Sequence, residues 1–156
     1  VRENLRRLRR ARVIIVAEDG QRPAALGSFD RVLVDVPCSG TGVLGRHPEA
    51  RWRKIPEDLP RHAERQSRIL EAAFERVRPG GILVYSTCSL EMEENDQVVE
   101  SFLAQHPDAR LDEDTSDRPP RFQSVPGRDE GDGSFAVRLK KVADHGEEPQ
   151  IPRKAV

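Results

Sequence analysis

The chain has 156 residues, about one domain's worth, and its 26 lysines and arginines nearly cancel its 27 aspartates and glutamates. No apolar run approaches the roughly 18 residues that cross a bilayer, and no signal-peptide pattern opens the chain. A membrane-crossing helix and a uniformly basic nucleic-acid binder are not expected; a lone disulfide is possible in principle, but a soluble cytoplasmic protein is the expectation, with Cys38 and Cys88 both kept as thiols.

An RNA partner stays open because the charge is uneven. Arg2, Arg6, Arg7, Arg9, Arg10 and Arg12 crowd the start, while residues 112–132 are rich in acids. Residues 1–10 set Leu5 and Leu8 among these arginines and read as the exposed end of an amphipathic helix. Val13-Ile14-Ile15-Val16 is a β-branched run expected to form a buried strand, and Glu18-Asp19-Gly20 ends it. Residues 31–36 form a second expected strand, stopped by Pro37. From Cys38 to Pro60 the chain is punctuated by glycine and proline, so a long active loop is expected there.

Residues 61–78 place Ile69, Leu70, Ala73, Phe74 and Val77 on one helical face, and Pro79-Gly80-Gly81 ends the helix. Residues 82–87 are the third strand, apolar enough at its start to be covered on both faces. Glu91, Glu93 and Glu94 are expected in the first turn of the next helix, where the dipole favours acids. That helix buries Val98, Val99, Phe102 and Leu103. Residues 112–126 read mostly as loop, and residues 134–140 alternate as a half-exposed strand. The expected layout is one domain over residues 1–142 followed by a disordered tail, 143–156.

Strands alternating with helices define an α/β sheet with parallel strands, and such sheets bind ligands outside the carboxyl ends of the strands. Three chemically loaded segments fall there: Glu18-Asp19-Gly20, Asp35-Val36-Pro37-Cys38 and Ser86-Thr87-Cys88-Ser89. A carboxylate and two thiols at one sheet edge suit covalent catalysis. Cys88 precedes a helix whose N–H groups favour a thiolate; its other reading is a small buried core residue. Asp19 and Asp35 read equally as turn or helix caps. The four histidines lack metal-ligand spacing, and no metal site is expected. Trp52 among Arg46, Arg51, Arg53 and Lys54 suits base stacking and phosphate contact, or else a solvated basic loop.

Asp35-Val36-Pro37-Cys38-Ser39-Gly40-Thr41-Gly42, Arg46-His47-Pro48, Pro79-Gly80-Gly81, Tyr85-Ser86-Thr87-Cys88-Ser89-Leu90 and Glu93-Glu94-Asn95 together resemble the Sun-type RNA 5-methylcytosine methyltransferases, nearest the bacterial small-subunit ribosomal RNA enzymes. The resemblance implies a Rossmann-like fold, mostly parallel with an antiparallel last strand and truncated at its N-terminal side. It implies S-adenosylmethionine as cofactor, ribosomal RNA as partner and a monomeric full-length protein. By match to the family's motifs, Cys88 attacks carbon 6 of cytosine, Cys38 assists release, and Asp35 holds and helps protonate the base. Asp19, Asp35 and Pro37 fall at cofactor positions; Arg46 and His47 fall at RNA positions, to which the residue pattern above adds Trp52. A DNA cytosine methyltransferase and a non-catalytic RNA-binding remnant are the rival readings.

The family's glycine-rich cofactor loop lies upstream of Val1, and no segment here replaces it. The isolated chain is therefore expected to bind cofactor poorly and to be inactive. Isothermal titration with S-adenosylmethionine should give no saturable heat in the micromolar range; tight binding would refute this expectation.

Overall fold

The computed structural model describes Arg7 and residues 14–23, 27–53, 55–114 and 118–143. The expected first helix, apart from Arg7, and nearly all of the expected tail lie outside the described residues. Among the described residues, five strands and two long helices follow in chain order, with three short 3-10 helices between the first strand and the first long helix. They are β1 (Phe29–Asp35), α1 (Leu59–Phe74), β2 (Val77–Thr87), α2 (Asp96–Gln105), β3 (Ala109–Leu111), β4 (Arg121–Ser124) and β5 (Ser134–Lys141).

Strands β1 and β2 pair in parallel, with Asp35 opposite Ser86, and α1 is the crossover between them. Strand β5 runs antiparallel along the other side of β2. The far edge of β5 takes both β3 and β4, each antiparallel. The result is an α/β sheet whose parallel pair carries the strand ends of interest. No helix among the described residues is long and apolar enough to cross a membrane.

Helix α1 begins with Pro60 in its first turn, where a missing N–H costs nothing. Gln66, Leu70 and Phe74 are its buried residues. Their spacing of four puts them on one face. Phe74 meets Phe102 of α2 edge-on, with ring centroids 5.1 Å apart. Between these helices and the sheet lies the core, which includes Val34, Leu83, Tyr85, Val137 and Leu139. Strand β5 therefore contributes to the core as well as pairing with three other strands.

Several local expectations yield to long-range pairing. The predicted helix over 61–78 stops at Phe74 because Val77 enters β2 and pairs with Phe29. Pro79-Gly80-Gly81 does not end the helix. It bulges out of β2, where two steps along β1, from Phe29 to Arg31, match five along β2, from Val77 to Ile82. Gly80 takes φ 79 there, a left-handed conformation that a side chain disfavours. Residues 112–126 contain β4 because β5 offers a free edge for it.

Ile14, Ile15 and Val16 form no strand and are 89%, 37% and 47% exposed. A strand needs a neighbour for its backbone groups, and these residues have no strand partner among the described residues. Leu33 on β1, 71% exposed, shows that the sheet face away from α1 is open there.

Leu70 is fully buried under the sheet. Leu70→Ala should lower unfolding free energy by about 2–5 kcal/mol, read as an earlier urea midpoint with an unchanged slope.

Candidate active site

The parallel register of β1 and β2 places two loops side by side. Cys38 lies just beyond the end of β1, and Cys88 directly follows β2. Their sulfur atoms are 2.9 Å apart, and the Cys88 N–H donates to the Cys38 sulfur at 3.3 Å. A disulfide requires about 2.05 Å, and both cysteines are free thiols. Fifty positions of sequence separate the pair. Asp35 stands exposed at the end of β1 and accepts a hydrogen bond from the Ser86 hydroxyl at 3.1 Å.

Backbone contacts fasten the loops to one another. The Gly42 N–H donates to the Cys88 carbonyl at 2.9 Å, and the Gly133 N–H donates to the Gly42 carbonyl at 2.8 Å. A Cβ on Gly42 would lie 2.3 Å from the Gly133 oxygen and 2.8 Å from the Cys88 oxygen. Glycine is required at 42 by this approach of backbone to backbone. The Thr41 hydroxyl accepts from the Leu90 N–H at 2.9 Å, joining the same two loops by a side chain.

A polar layer lies beneath the thiols. Glu94 is fully buried and accepts from the Ser39 N–H at 2.8 Å, from the Ser39 hydroxyl and from the Gln66 amide at 2.8 Å. The same Gln66 amide donates to the Pro37 carbonyl at 3.1 Å. The Tyr85 hydroxyl donates to the Glu94 carbonyl at 2.7 Å. Asn95 accepts from the Thr87 hydroxyl at 2.6 Å and donates to the Ser89 carbonyl at 2.9 Å.

Glu91, Glu93 and Glu94 thus precede α2 instead of opening it, since the helix begins at Asp96. Glu94 turns inward because the Ser39 N–H, the Ser39 hydroxyl and the Gln66 amide await it there. Sequence reading missed this layer. One signal was present, because Gln66 shares the buried face of α1 with Leu70 and Phe74. A polar residue on an apolar stripe needs a buried partner.

Electrostatics differ sharply within the site. Burial pushes the Cys38 thiol up to about 12, and its contact with Cys88 adds to the rise. Burial also pushes the Glu94 carboxyl upward, but hydrogen bonds from the hydroxyls of Ser39 and Ser89, the Ser39 N–H and Gln66 outweigh it. The net direction for Glu94 is downward. For Tyr85, burial raises the phenol, and the nearby Glu94 charge raises it further.

The remaining predicted residues lie around this pair. Arg46 is exposed and forms an ion pair with Asp132 at 2.6 Å. The His47 ring approaches Glu49 at 3.5 Å. Trp52 is 84% exposed, with the Arg51 guanidinium 5.8 Å from its ring centroid. Asp19 caps its own turn, accepting from the Gln21 N–H at 3.0 Å. It borders a cavity of about 480 Å³ that does not include Asp35 or Pro37. A second cavity, about 640 Å³, opens onto Cys38, Ser39 and Thr41. The structure brings Cys38, Cys88 and Asp35 to one sheet edge and leaves Asp19 lining a different cavity from the one at Cys38.

A parallel strand pair, a crossover helix and an antiparallel strand beside them define a Rossmann-like methyltransferase sheet. The crystal structure of PH0851 matches with a TM-score of 0.81 and 32% identity, over 90% of this chain and 33% of its own. NSun6 from Pyrococcus horikoshii, solved with SFG, matches with a TM-score of 0.79 and 29% identity, over 92% of this chain and 38% of its own. The chain belongs to the 16S rRNA methyltransferase RsmB/F family, whose model matches residues 1–140. Ribosomal RNA small subunit methyltransferase B of Cronobacter sakazakii is 43% identical over 144 residues, 90% of this chain. The chain spans 33% of that relative's length.

Linkage gives the Glu94 carboxylate a testable sign. Its folded value lies below its ordinary 4.5, so its contribution is complete above that value and is lost as pH falls through the folded one. Urea unfolding below pH 4.5 should show a loss of stability that is smaller in Glu94→Gln than in the unsubstituted chain.

Proposed function

We propose that this chain carries the reacting cysteines of an enzyme that methylates carbon 5 of cytosine in small-subunit ribosomal RNA. The observation that carries the reading is the pair of thiols in contact at the ends of two parallel strands. The family and the printed names of its relatives supply the substrate class. The structure of NSun6 holds SFG, an analogue of S-adenosylmethionine, which supports that cofactor.

Carbon 5 of cytosine is a poor nucleophile until the ring is activated. The Cys88 sulfur bonds to carbon 6, the 5,6 double bond opens, and carbon 5 becomes the nucleophilic end of an enamine. Asp35 hydrogen-bonds the base edge and stabilises the added charge as the ring nitrogen takes a proton. After methylation, carbon 5 gives its proton to water, the double bond re-forms, and the Cys88 thiolate leaves. Cys38 assists this elimination. A thiol pushed up to about 12 keeps its proton at neutral pH and does not compete for carbon 6. Its S–H, 2.9 Å from the Cys88 sulfur, donates to that sulfur as the thiolate leaves.

S-adenosylmethionine, when bound, supplies the methyl group from its sulfonium. The residues fit it in part: Asp35 is an exposed carboxylate beside the thiols, suited to a ligand bearing an amino group, hydroxyls and a positive charge, whereas Asp19 lines a separate cavity. Pro37 shapes the backbone between Asp35 and Cys38. Arg46, His47 and the exposed Trp52 form the RNA side, where a base stacks on the indole and phosphates meet the cations. The target base leaves its stack to reach the thiols.

The test uses a protein that joins this chain to the remaining length found in its relatives. It is incubated with cofactor and small-subunit RNA and run on denaturing gels. Cys38→Ala should accumulate a covalent protein–RNA adduct, and Cys88→Ala should form none while losing at least about 10³-fold in rate. Absence of both adduct and methyl transfer in every form would sink the catalytic reading and favour an RNA-binding remnant.

A further inference from the structure

Glu93-Glu94-Asn95 follows Cys88 closely, yet the chemistry above gives Glu94 no task. Its carboxylate is 0% exposed. An ionised carboxylate in the interior is strongly unfavourable unless surrounding donors replace water. Here the donors are the Ser39 N–H, the Ser39 hydroxyl and the Gln66 amide, and the Ser89 hydroxyl lies 3.1 Å from that of Ser39. All three donors are neutral, so the carboxylate is held by hydrogen bonds and keeps its full charge as an acceptor.

The identity of these donors points to a role. Ser39 directly follows Cys38, and Ser89 directly follows Cys88. Gln66 also holds the Pro37 carbonyl, on the other side of Cys38. One carboxylate therefore grips Ser39, after Cys38, directly and reaches Ser89, after Cys88, through the Ser39 hydroxyl, while its neighbour Gln66 grips the residue before Cys38. Hydrogen bonds to an ionised acceptor are about twice as strong as those between neutral groups. The donation from Tyr85 to the Glu94 carbonyl fixes the backbone from which this side chain projects.

We propose that Glu94 is the positioning residue for the two thiols, its shared carboxylate holding the Cys38 and Cys88 sulfur atoms in contact. The catalytic meaning of that contact rests on the two-cysteine reading above; the contact itself does not. Removing the carboxylate frees Ser39 and Ser89 to turn toward water, and the two loops lose their common joint. The thiols then separate by the small distance that suffices to slow a reaction between positioned groups.

The closeness of the thiols is measurable without RNA or cofactor. Diamide removes two electrons and two protons from a thiol pair, forming the disulfide while it becomes the hydrazine. The full chain is oxidised at a temperature where circular dichroism shows every variant folded, and the rate is followed by the mass loss of two hydrogens. Glu94→Ala should form the Cys38–Cys88 disulfide at least about tenfold more slowly than the unsubstituted chain, and Glu94→Gln should stay within about threefold. Val99→Ala removes buried α2 packing away from the thiols and should leave the rate unchanged while lowering stability.

A folded Glu94→Ala that oxidises at the unsubstituted rate overturns the proposal. So does a Val99→Ala slowed as much as Glu94→Ala, since the effect is then general loosening. Should Glu94→Ala not fold, the double variant Ser39→Ala/Ser89→Ala leaves the carboxylate in place and removes the two hydroxyls that link it to the loops. Slower oxidation of that variant supports the proposal, and an unchanged rate overturns it. Because the readout is thiol geometry, it succeeds or fails independently of the adduct experiment.

Discussion

The parallel register of β1 against β2 is the constraint from which the site follows. With Asp35 opposite Ser86, the chain leaves both strands at the same level and on the same edge of the sheet. The segments that follow must run side by side. Two cysteines far apart in sequence become neighbours whose sulfurs touch. Parallel pairing also demands a long crossover, and α1 supplies it, bringing Gln66 under the strand ends. The helix that completes the topology thereby also supports the site.

What lies under the thiols is polar, and that is unusual for the floor of a small sheet. Glu94, Gln66, Asn95 and Thr87 are all buried. Each has partners, and this is why the layer is tolerated at all. A network of this kind fixes geometry more sharply than apolar packing does, because a hydrogen bond has direction. The contrast between Cys38, whose thiol burial raises, and Glu94, whose donors lower it, arises within a single layer. Burial acts on both; only the carboxylate has enough donors to reverse the effect.

Strand β5 closes the arrangement from the other side. Its antiparallel run beside β2 brings Gly133, at its start, against Gly42 in the loop after β1. Three chain segments distant in sequence thus meet at one level, and the glycines let their backbones touch. The ion pair from Arg46 to Asp132 repeats that link at the surface. On the proposed function, an arginine already tied to this loop would be presented to RNA in a fixed place.

The sequence by itself determined the elements whose signals are local. The apolar run in β2, the periodic face of α1 and the alternation of β5 are set by neighbours a few residues away, and these three were legible. So was the convergence of Asp35, Cys38 and Cys88, since parallel strands expose their carboxyl ends together. The resemblance to Sun-type enzymes added the family, which the RsmB/F match bears out. Tertiary structure alone decided the rest. Residues 14–16 form no strand, since apolar pattern cannot supply a pairing partner. Val77 left a helical stripe for a strand because Phe29 pairs with it. Glu94 left an expected helix N-terminus for the interior because its donors come from positions as far as 55 residues away. No local pattern encodes a partner that distant; only the folded chain brings it within hydrogen-bonding reach.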